Sequence, residues 1–352
     1  MLDEAKNIRP GEELDPVALG AYLAVQLGSD LEIHHIRQFP GGYSNLTYLI
    51  ATSEGEFVLR RPPFGANIKS AHDMGREFRV LCMLGPVYER IPRPVLYCEN
   101  AEVLGAPFYL MERVKGIILR NRLPENLVLS PEVMQDLSTA AIDNLAALHR
   151  LDIHTTGLID LGKPEGYIGR QVSGWIERYY RAETDTIPGM DELARWMPQN
   201  QPSDGLPSLI HNDYKYDNLV LNPDNLADIK AVLDWEMCTV GDPLMDLGVT
   251  LAYWIEPREA DLLSASIGNL TWLPGNLLRK ELAERYAQQS KRNIEQLLFY
   301  YIFGTFKIGV IVQQIYARYK KGLTQDPRFA PLIEVVRLFG ERGRQALEEG
   351  HI

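Results

Sequence analysis

The sequence predicts an α+β chain in two lobes, an antiparallel-sheet N-lobe followed by a mainly helical C-lobe. Three observations carry that expectation. The chain has 352 residues, more than one ordinary core serves, so two domains or lobes are expected. Short β-favouring runs separated by turn residues fill the first third. After residue 116 the apolar spacing changes to the helical period and keeps it over most of the remainder.

The elements follow in order. In "LDPVALGAYLAVQLG" Asp15 is placed to cap a helix, Pro16 occupies the first turn and Gly28 ends it. Strands are expected near 31–39, 44–51 and 56–60, with "PGGYSN" and "SEG" as turns. "SAHDMGREFRVLCMLG" spaces its apolar residues helically up to Gly85, and two more strands near 94–98 and 107–113 precede the break at Lys115 and Gly116. That pattern divides the chain into residues 1–115, a sheet with one long helix, and residues 116–352. In the second part, Ser130 and Pro131 open the helix "SPEVMQDLSTAAIDNLAALHRL". No internal repeat or low-complexity segment is found.

Composition narrows the function classes. Hydrophobic residues at 45% and charged residues at 24% are those of a soluble globular protein. With 36 Lys and Arg against 47 Asp and Glu, the formal charge is −11, which argues against nucleic acid as the main partner and suits a cationic or magnesium-bound one. Cys82, Cys98 and Cys238 form no CxxC pair, so each reads as a small buried hydrophobe in a reduced, cytoplasmic setting. The polar, acidic N-terminus argues against a secretory or transit peptide. The longest apolar stretch, "LLFYYIFGTFKIGVIVQQIY" from Leu297, is interrupted by Lys307 and two glycines, which favours a buried core helix over a membrane span.

The chemistry concentrates in "LIHNDYKYDNLVLNPDNLADIKAVLDWE", residues 209–236. Asp213 follows His211 by two residues, Lys215 by four and Asn218 by seven. The runs "LVL" and "IKAVL" read as a hairpin that delivers Asp234. Two carboxylates, an amide and an ammonium at strand ends suit phosphoryl transfer, where a protein chiefly positions groups and neutralises charge. In that reading Asp234 ligates a Mg²⁺ bridging nucleotide phosphates and Asn218 holds a second. Asp213 accepts the proton of an attacking hydroxyl, and Lys215 stabilises the transferring phosphoryl.

"HNDYKYDN" followed by "LDWE" resembles the catalytic and metal-binding segments of the protein-kinase-like fold, and most closely its aminoglycoside phosphotransferase and choline kinase branch. The resemblance implies an ATP-dependent O-phosphotransferase acting on a small hydroxylated molecule, with no nucleic acid or membrane partner, as a monomer or homodimer. It implies that the hairpin "FPGGYSNLTYLI" covers the phosphates, with Gly41 and Gly42 allowing close backbone approach and Ser44 and Asn45 donating hydrogen bonds. Arg60 stands where the family carries a lysine against the phosphates, and Glu77 where a helix supplies the acid that holds that cation. The backbone near Glu112 and Val114 corresponds to the adenine-binding hinge, and Glu236 to a further metal or phosphate-side ligand. His211 is expected to buttress the loop, Tyr214 and Tyr216 to pack, Asp242 to cap a helix and Asp246 to brace the catalytic loop. The remaining histidines, His149 among them, read as helix or loop residues without metal spacing.

Longer stretches, "VLRRPPFG", "LGAPFYLMERVKG", "GYIGRQVSGWIERY" and "VLDWEMCTVGDPLMDLG", are similar to the kinase-like domain that precedes the dehydrogenase in some acyl-CoA dehydrogenases. That subgroup implies a hydroxyacyl-CoA acceptor, with the chain too short to carry the dehydrogenase. Lys163, Arg170, Arg178 and Arg181 are candidates to meet coenzyme A phosphates, or are solvated helix charges. No GxSxG, Walker A loop, HExxH or Rossmann fingerprint is present. The alternative is a catalytically inactive nucleotide-binding pseudokinase, for which the arginine at position 60 is the best support.

Overall fold

The computed structural model describes residues 4–28, 31–40, 45–64, 73–120, 127–261, 269–324 and 326–352. They form two compact units. The first is Met1–Ile118 with Leu219–Asp224 and Ile229–Cys238, and the second is Leu119–Asn218 with Asn225–Asp228 and Thr239–Ile352. A division by chain order at 115/116 puts residues 219–238 wholly in the second unit. Backbone pairing returns most of them to the first: Ile117 and Leu221 exchange hydrogen bonds of 2.9 and 2.8 Å, and the Val232 N–H donates to Arg90 O at 2.8 Å.

In the first unit all five expected strands form: β1 Ile33–Gln38, β2 Leu46–Thr52, β3 Gly55–Arg61, β4 Pro94–Cys98 and β5 Phe108–Glu112. They make one sheet in the order β1-β2-β3-β5-β4, antiparallel at every pairing. β3 is therefore an interior strand, and Arg60 lies between Thr47 and Tyr109. Helix α1, Pro16–Leu27, is capped by Asp15, which accepts from the N–H groups of Val17 and Ala18, and it closes at Gly28 with φ 67°. Its Leu19 and Leu23 pack with Tyr48, Ile50, Leu59, Phe108 and Leu110. Helix α2, Met74–Leu84, buries Met74, Val80, Leu81 and Leu84, the face expected from helical spacing. Glu77 falls on that same face, so a carboxylate is carried into the core.

The second unit is built from α4 Pro131–Leu148, α5 Tyr167–Arg181, α6 Pro188–Gln199, α7 Pro243–Tyr253, α8 Arg279–Ser290, α9 Leu297–Lys320 and α10 Leu332–Glu349; the short α3, Ala101–Leu104, belongs to the first unit. Strand β6, Ser208–Ile210, pairs antiparallel with Thr239–Gly241; the expected hairpin, Leu219–Asn222 paired with Asn225–Val232, belongs mostly to the first unit. By length and composition α9 is apolar enough to cross a membrane, yet 72% of its most apolar window is buried inside the protein. Its close seat on α7 depends on two glycines. A Cβ added at Gly248 would lie 2.1 Å from Tyr300 O, and one at Gly304 would lie 2.3 Å from Gly248 O. Of the three free cysteines, Cys98 and Cys238 are buried, whereas Cys82 is exposed, because it lies on the outward side of α2.

Gly248→Ala must force α7 and α9 apart, and the expected cost is at least about 1–3 kcal/mol of stability in a denaturant titration. An unchanged unfolding midpoint contradicts the close-approach account.

Candidate active site

In the first unit the buried Glu77 carboxylate requires a partner, since an unpaired charge in a core is expensive. Arg60 supplies it: Nη1 lies 2.5 Å from Glu77 Oε1. The other arm of the same guanidinium, Nη2, lies 3.0 Å from Asp234 Oδ1 and 3.8 Å from Glu236 Oε2. Asn45 Nδ2 donates to Glu236 Oε2 at 2.8 Å. Burial disfavours the charge on Arg60, but Glu77 and the other acids outweigh it and hold the guanidinium firmly protonated. Burial likewise pushes the Glu77 carboxyl above its ordinary value, an effect that Arg60 opposes. Asp234 itself sits at φ 67°, ψ 61°, a conformation that non-glycine residues rarely adopt and that recurs at functional positions. Arg76 steadies the segment beyond it, donating from Nη1 to Glu236 O at 2.8 Å and from Nη2 to Cys238 O at 2.6 Å.

In the second unit the loop after β6 carries Asp213. Lys215 Nζ lies 3.0 Å from both carboxylate oxygens of Asp213. Asn218 Nδ2 donates to Asp213 O at 2.8 Å and to Asp213 Oδ2 at 3.0 Å. Both neighbours of that nitrogen are acceptors, which determines the orientation of the amide. The Lys215 ammonium also lies 4.6 Å from the centre of the Tyr253 ring.

The loop is anchored on Asp246, which is fully buried. Its Oδ2 accepts from the His211 N–H at 2.6 Å, and its Oδ1 from the Asn212 N–H at 2.8 Å. His149 Nε2 lies 3.1 Å from Oδ2, and His149 Nδ1 lies 2.7 Å from the Tyr286 hydroxyl. An ionised carboxylate only accepts, so Nε2 carries the proton and Nδ1 accepts from the tyrosine. Burial raises the Asp246 carboxyl, but the His149 hydrogen bond and the surrounding donors outweigh it and hold the group below its ordinary value.

Residues 35–272 match the phosphotransferase enzyme family, APH. The chain belongs to that family. Among curated relatives, acyl-CoA dehydrogenase family member 11 of Rattus norvegicus is 36% identical over 326 residues, which cover 90% of this chain and 41% of that protein. The chain therefore spans less than half the length of that relative. A solved structure from Ralstonia eutropha, assigned as an aminoglycoside phosphotransferase, superposes with a TM-score of 0.78 at 29% identity, covering 96% of this chain and 99% of the other. Choline kinase from Cryptosporidium parvum shares the fold alone, with a TM-score of 0.60 at 12% identity over 90% of each chain.

The residues expected from the sequence fall in two local sets. Asp213, Lys215 and Asn218 form one; Arg60, Glu77, Asp234, Glu236 and Asn45 form the other. Gly41, Gly42 and Ser44 lie outside the described residues. Glu112 ends β5 with its N–H donated to Arg93 O at 2.9 Å, and the Arg113 N–H goes to Glu56 O at 3.2 Å, so Val114 is where the chain leaves the sheet. An edge-strand surface charge is excluded for Arg60, which is buried in an interior strand. Asp242 caps α7 through the Leu244 N–H at 2.8 Å, and Tyr214 and Tyr216 are buried as expected of packing aromatics. Arg170 donates to the Glu165 and Lys163 carbonyls, and Arg181 to Glu177, so these two α5 cations are engaged locally. The bonds made by Arg76 and His149 are not anticipated by the sequence. Their only trace in the sequence is a polar residue beside or within an apolar helical run.

The donor types suit magnesium. In the first unit Asp234 and Glu236 offer carboxylate oxygens, the kind of ligand a hard cation takes, and in the second the Asn218 amide offers an oxygen of its own; Mg²⁺ usually needs only one or two carboxylates beside phosphate and water. Among the described residues no three His, Cys, Asp or Glu side chains make a self-sufficient metal cage.

Arg60→Met strands the buried Glu77 carboxylate and is expected to lower stability by about 3–5 kcal/mol, measured by chemical denaturation; a neutral result contradicts the pairing. In Asp246→Asn one acceptor oxygen becomes a donor that faces an N–H, at an expected cost of about 1–3 kcal/mol. The Asp246 pKa is depressed on folding from an ordinary 3.8, so its stabilisation is full above that value and lost as pH falls through the folded one. Stability measured from pH 6 to 2 should therefore fall less steeply below about pH 4 in Asp246→Asn than in the wild type.

Proposed function

We propose that this protein is an ATP- and Mg²⁺-dependent phosphotransferase that moves the γ-phosphate to a hydroxyl of a small molecule. The observation that carries the reading is the Asp213 carboxylate, oriented by Asn218 and Lys215 on a loop anchored to a buried acid. Asp213 accepts the proton of the attacking hydroxyl, and a base so placed contributes roughly 10²- to 10⁴-fold in rate. Lys215 balances the charge of that carboxylate and offers an ammonium to the transferring phosphoryl. Asp234 with Glu236 would hold one Mg²⁺, and the Asn218 amide oxygen a second. Bound magnesium neutralises charge on the nucleotide phosphates. Arg60, held by Glu77, takes the place of the usual lysine as the cation for the phosphates, and its planar fork suits that chemistry. Gly41, Gly42, Ser44 and Asn45 are assigned to phosphate contacts, and the backbone of Glu112 and Val114 to adenine.

For the acceptor we favour a hydroxyacyl-CoA. The support is the similarity to acyl-CoA dehydrogenase family member 11 over 90% of this chain. The aminoglycoside alternative is supported by the name of the Ralstonia neighbour and by the formal charge of −11, which favours polycations.

The test is transfer of labelled γ-phosphate from ATP into hydroxyacyl-CoAs, aminoglycosides, choline and sugars. The expected result is Mg²⁺-dependent labelling of the CoA thioesters that falls about 10²- to 10⁴-fold or more in Asp213→Ala. Labelling of an aminoglycoside instead keeps the enzyme and replaces the acceptor. ATP binding without transfer to any acceptor or to water supports the pseudokinase.

A further inference from the structure

The apolar run of α9 contains one charged residue in its buried half, Lys307, only 3% exposed. Burying an ammonium is costly, so its surroundings need explaining. Lys307 lies one turn after Gly304, the residue that seats α9 against Gly248 of α7. Asp246 precedes Gly248 by two residues on α7. The crossing thus brings a cation from one helix and an anion from the other to the same loop.

Their targets are adjacent. Lys307 Nζ donates to Asn212 O at 3.0 Å, and the Asn212 N–H donates to Asp246 Oδ1 at 2.8 Å. Asn212 adopts φ 69°, a conformation costly for a side-chain-bearing residue unless its surroundings enforce it. The peptide between Asn212 and Asp213 is held at both ends, its carbonyl by Lys307 and its N–H by His211 Nδ1 at 3.2 Å. Turning that peptide plane would break both of these bonds at the backbone of Asp213 itself.

We propose that Lys307 is a positioning residue, whose ammonium locks the Asn212–Asp213 peptide and so keeps the Asp213 carboxylate aimed for proton transfer. Its catalytic consequence rests on the reading of Asp213 as the base; the locking itself does not. The charged groups around Lys307 are the Asp213 and Asp246 carboxylates and the Lys215 and Arg178 cations, and its Nζ lies 5.6 Å from the centre of the Trp175 ring. Burial brings its pKa down from 10.5 to about 8, against the pull of Asp213 and Asp246 and with the help of Lys215 and Arg178. The lock is therefore at full strength at neutral pH and weakens as pH rises through about 8. Stability moves the other way. The folded chain gives up this proton more readily than the unfolded one, so between about 8 and 10.5 this group favours the folded state increasingly as pH rises. Alkaline loosening of the loop cannot then be assigned to unfolding driven by Lys307.

The deciding measurement is hydrogen exchange by mass spectrometry on the peptide 209–218 in wild type, Lys307→Met and Lys307→Gln, at about pH 7 and 9, corrected for intrinsic exchange rates. Lys307→Met should lower protection of this peptide about tenfold, the effect of losing one charge-assisted hydrogen bond, with no further loss at high pH. The wild type should lose protection between the two pH values. Lys307→Gln, a neutral donor, should lie between and show no such pH step; it decides the matter if Lys307→Met fails to fold. Wild-type protection in both variants, or a pH step that survives Lys307→Gln, overturns the proposal. ADP formation from Mg-ATP, with water as acceptor, separates this proposal from the base assignment. Lys307→Met should lower kcat about tenfold and leave KM for ATP within about twofold. If Asp213→Ala turns over at the wild-type rate while Lys307→Met loosens the loop, the base assignment fails and the lock stands. If Asp213→Ala is inactive while Lys307→Met matches wild type in exchange and rate, the lock fails and the base stands.

Discussion

A single buried carboxylate, that of Asp246, organises the second unit. Its side chain is fully buried, so its charge must be met by protein donors, and it takes them from the backbone of His211 and Asn212 and from the His149 ring. Two of the three belong to the loop that carries Asp213. That loop cannot move without leaving a buried charge unsatisfied, a costly outcome that holds it in place. The left-handed backbone at Asn212 is sustained by the same bonds. The Gly248–Gly304 crossing has a reason in these terms: it is where α7 delivers the anion and α9 the cation that hold one peptide.

The same economy of charge governs the first unit. Glu77 lies on the apolar face of α2, and Arg60 answers it from an interior strand. A lysine has one nitrogen to share among its partners; the guanidinium turns Nη1 to Glu77 and Nη2 to Asp234, so the acid on the helix and the acid after the hairpin are tied to one side chain. The substitution that weakened the case for catalysis in the sequence is thus compatible with the charge pairing it replaces. Arg76, one residue before Glu77, adds hydrogen bonds to the carbonyls of Glu236 and Cys238, so a side chain of α2 holds the backbone of the segment after Asp234.

Local chemistry made much of this legible. Period-two runs with turn residues located all five strands of the first sheet, and Asp15, Gly28, Ser130 and Asp242 marked helix ends because capping depends on near neighbours. The spacing of Asp213, Lys215 and Asn218 was informative for the same reason: their contacts span only two to five residues. What stayed hidden depends on distant pairings. His149 meets Asp246 across 97 positions, Lys307 meets Asn212 across 95 and Arg76 meets Glu236 across 160. Periodicity reports which face of a helix is buried, and it is silent on what a polar residue in that face will meet. The return of Leu219–Asp224 and Ile229–Cys238 to the first unit escaped for the same reason, since backbone pairing with Ile117 and Arg90 has no signature in either partner.

Under the proposed function, labour is divided between Asp213 for the proton and Asp234 for magnesium. Calorimetric titration of ATP, with and without Mg²⁺, into wild type, Asp213→Ala and Asp234→Ala tests that division directly. It predicts that Asp213→Ala binds Mg-ATP as the wild type does, while Asp234→Ala loses the gain in affinity that Mg²⁺ confers, about tenfold or more. Equal losses in the two variants, or a magnesium effect that survives Asp234→Ala, would contradict it.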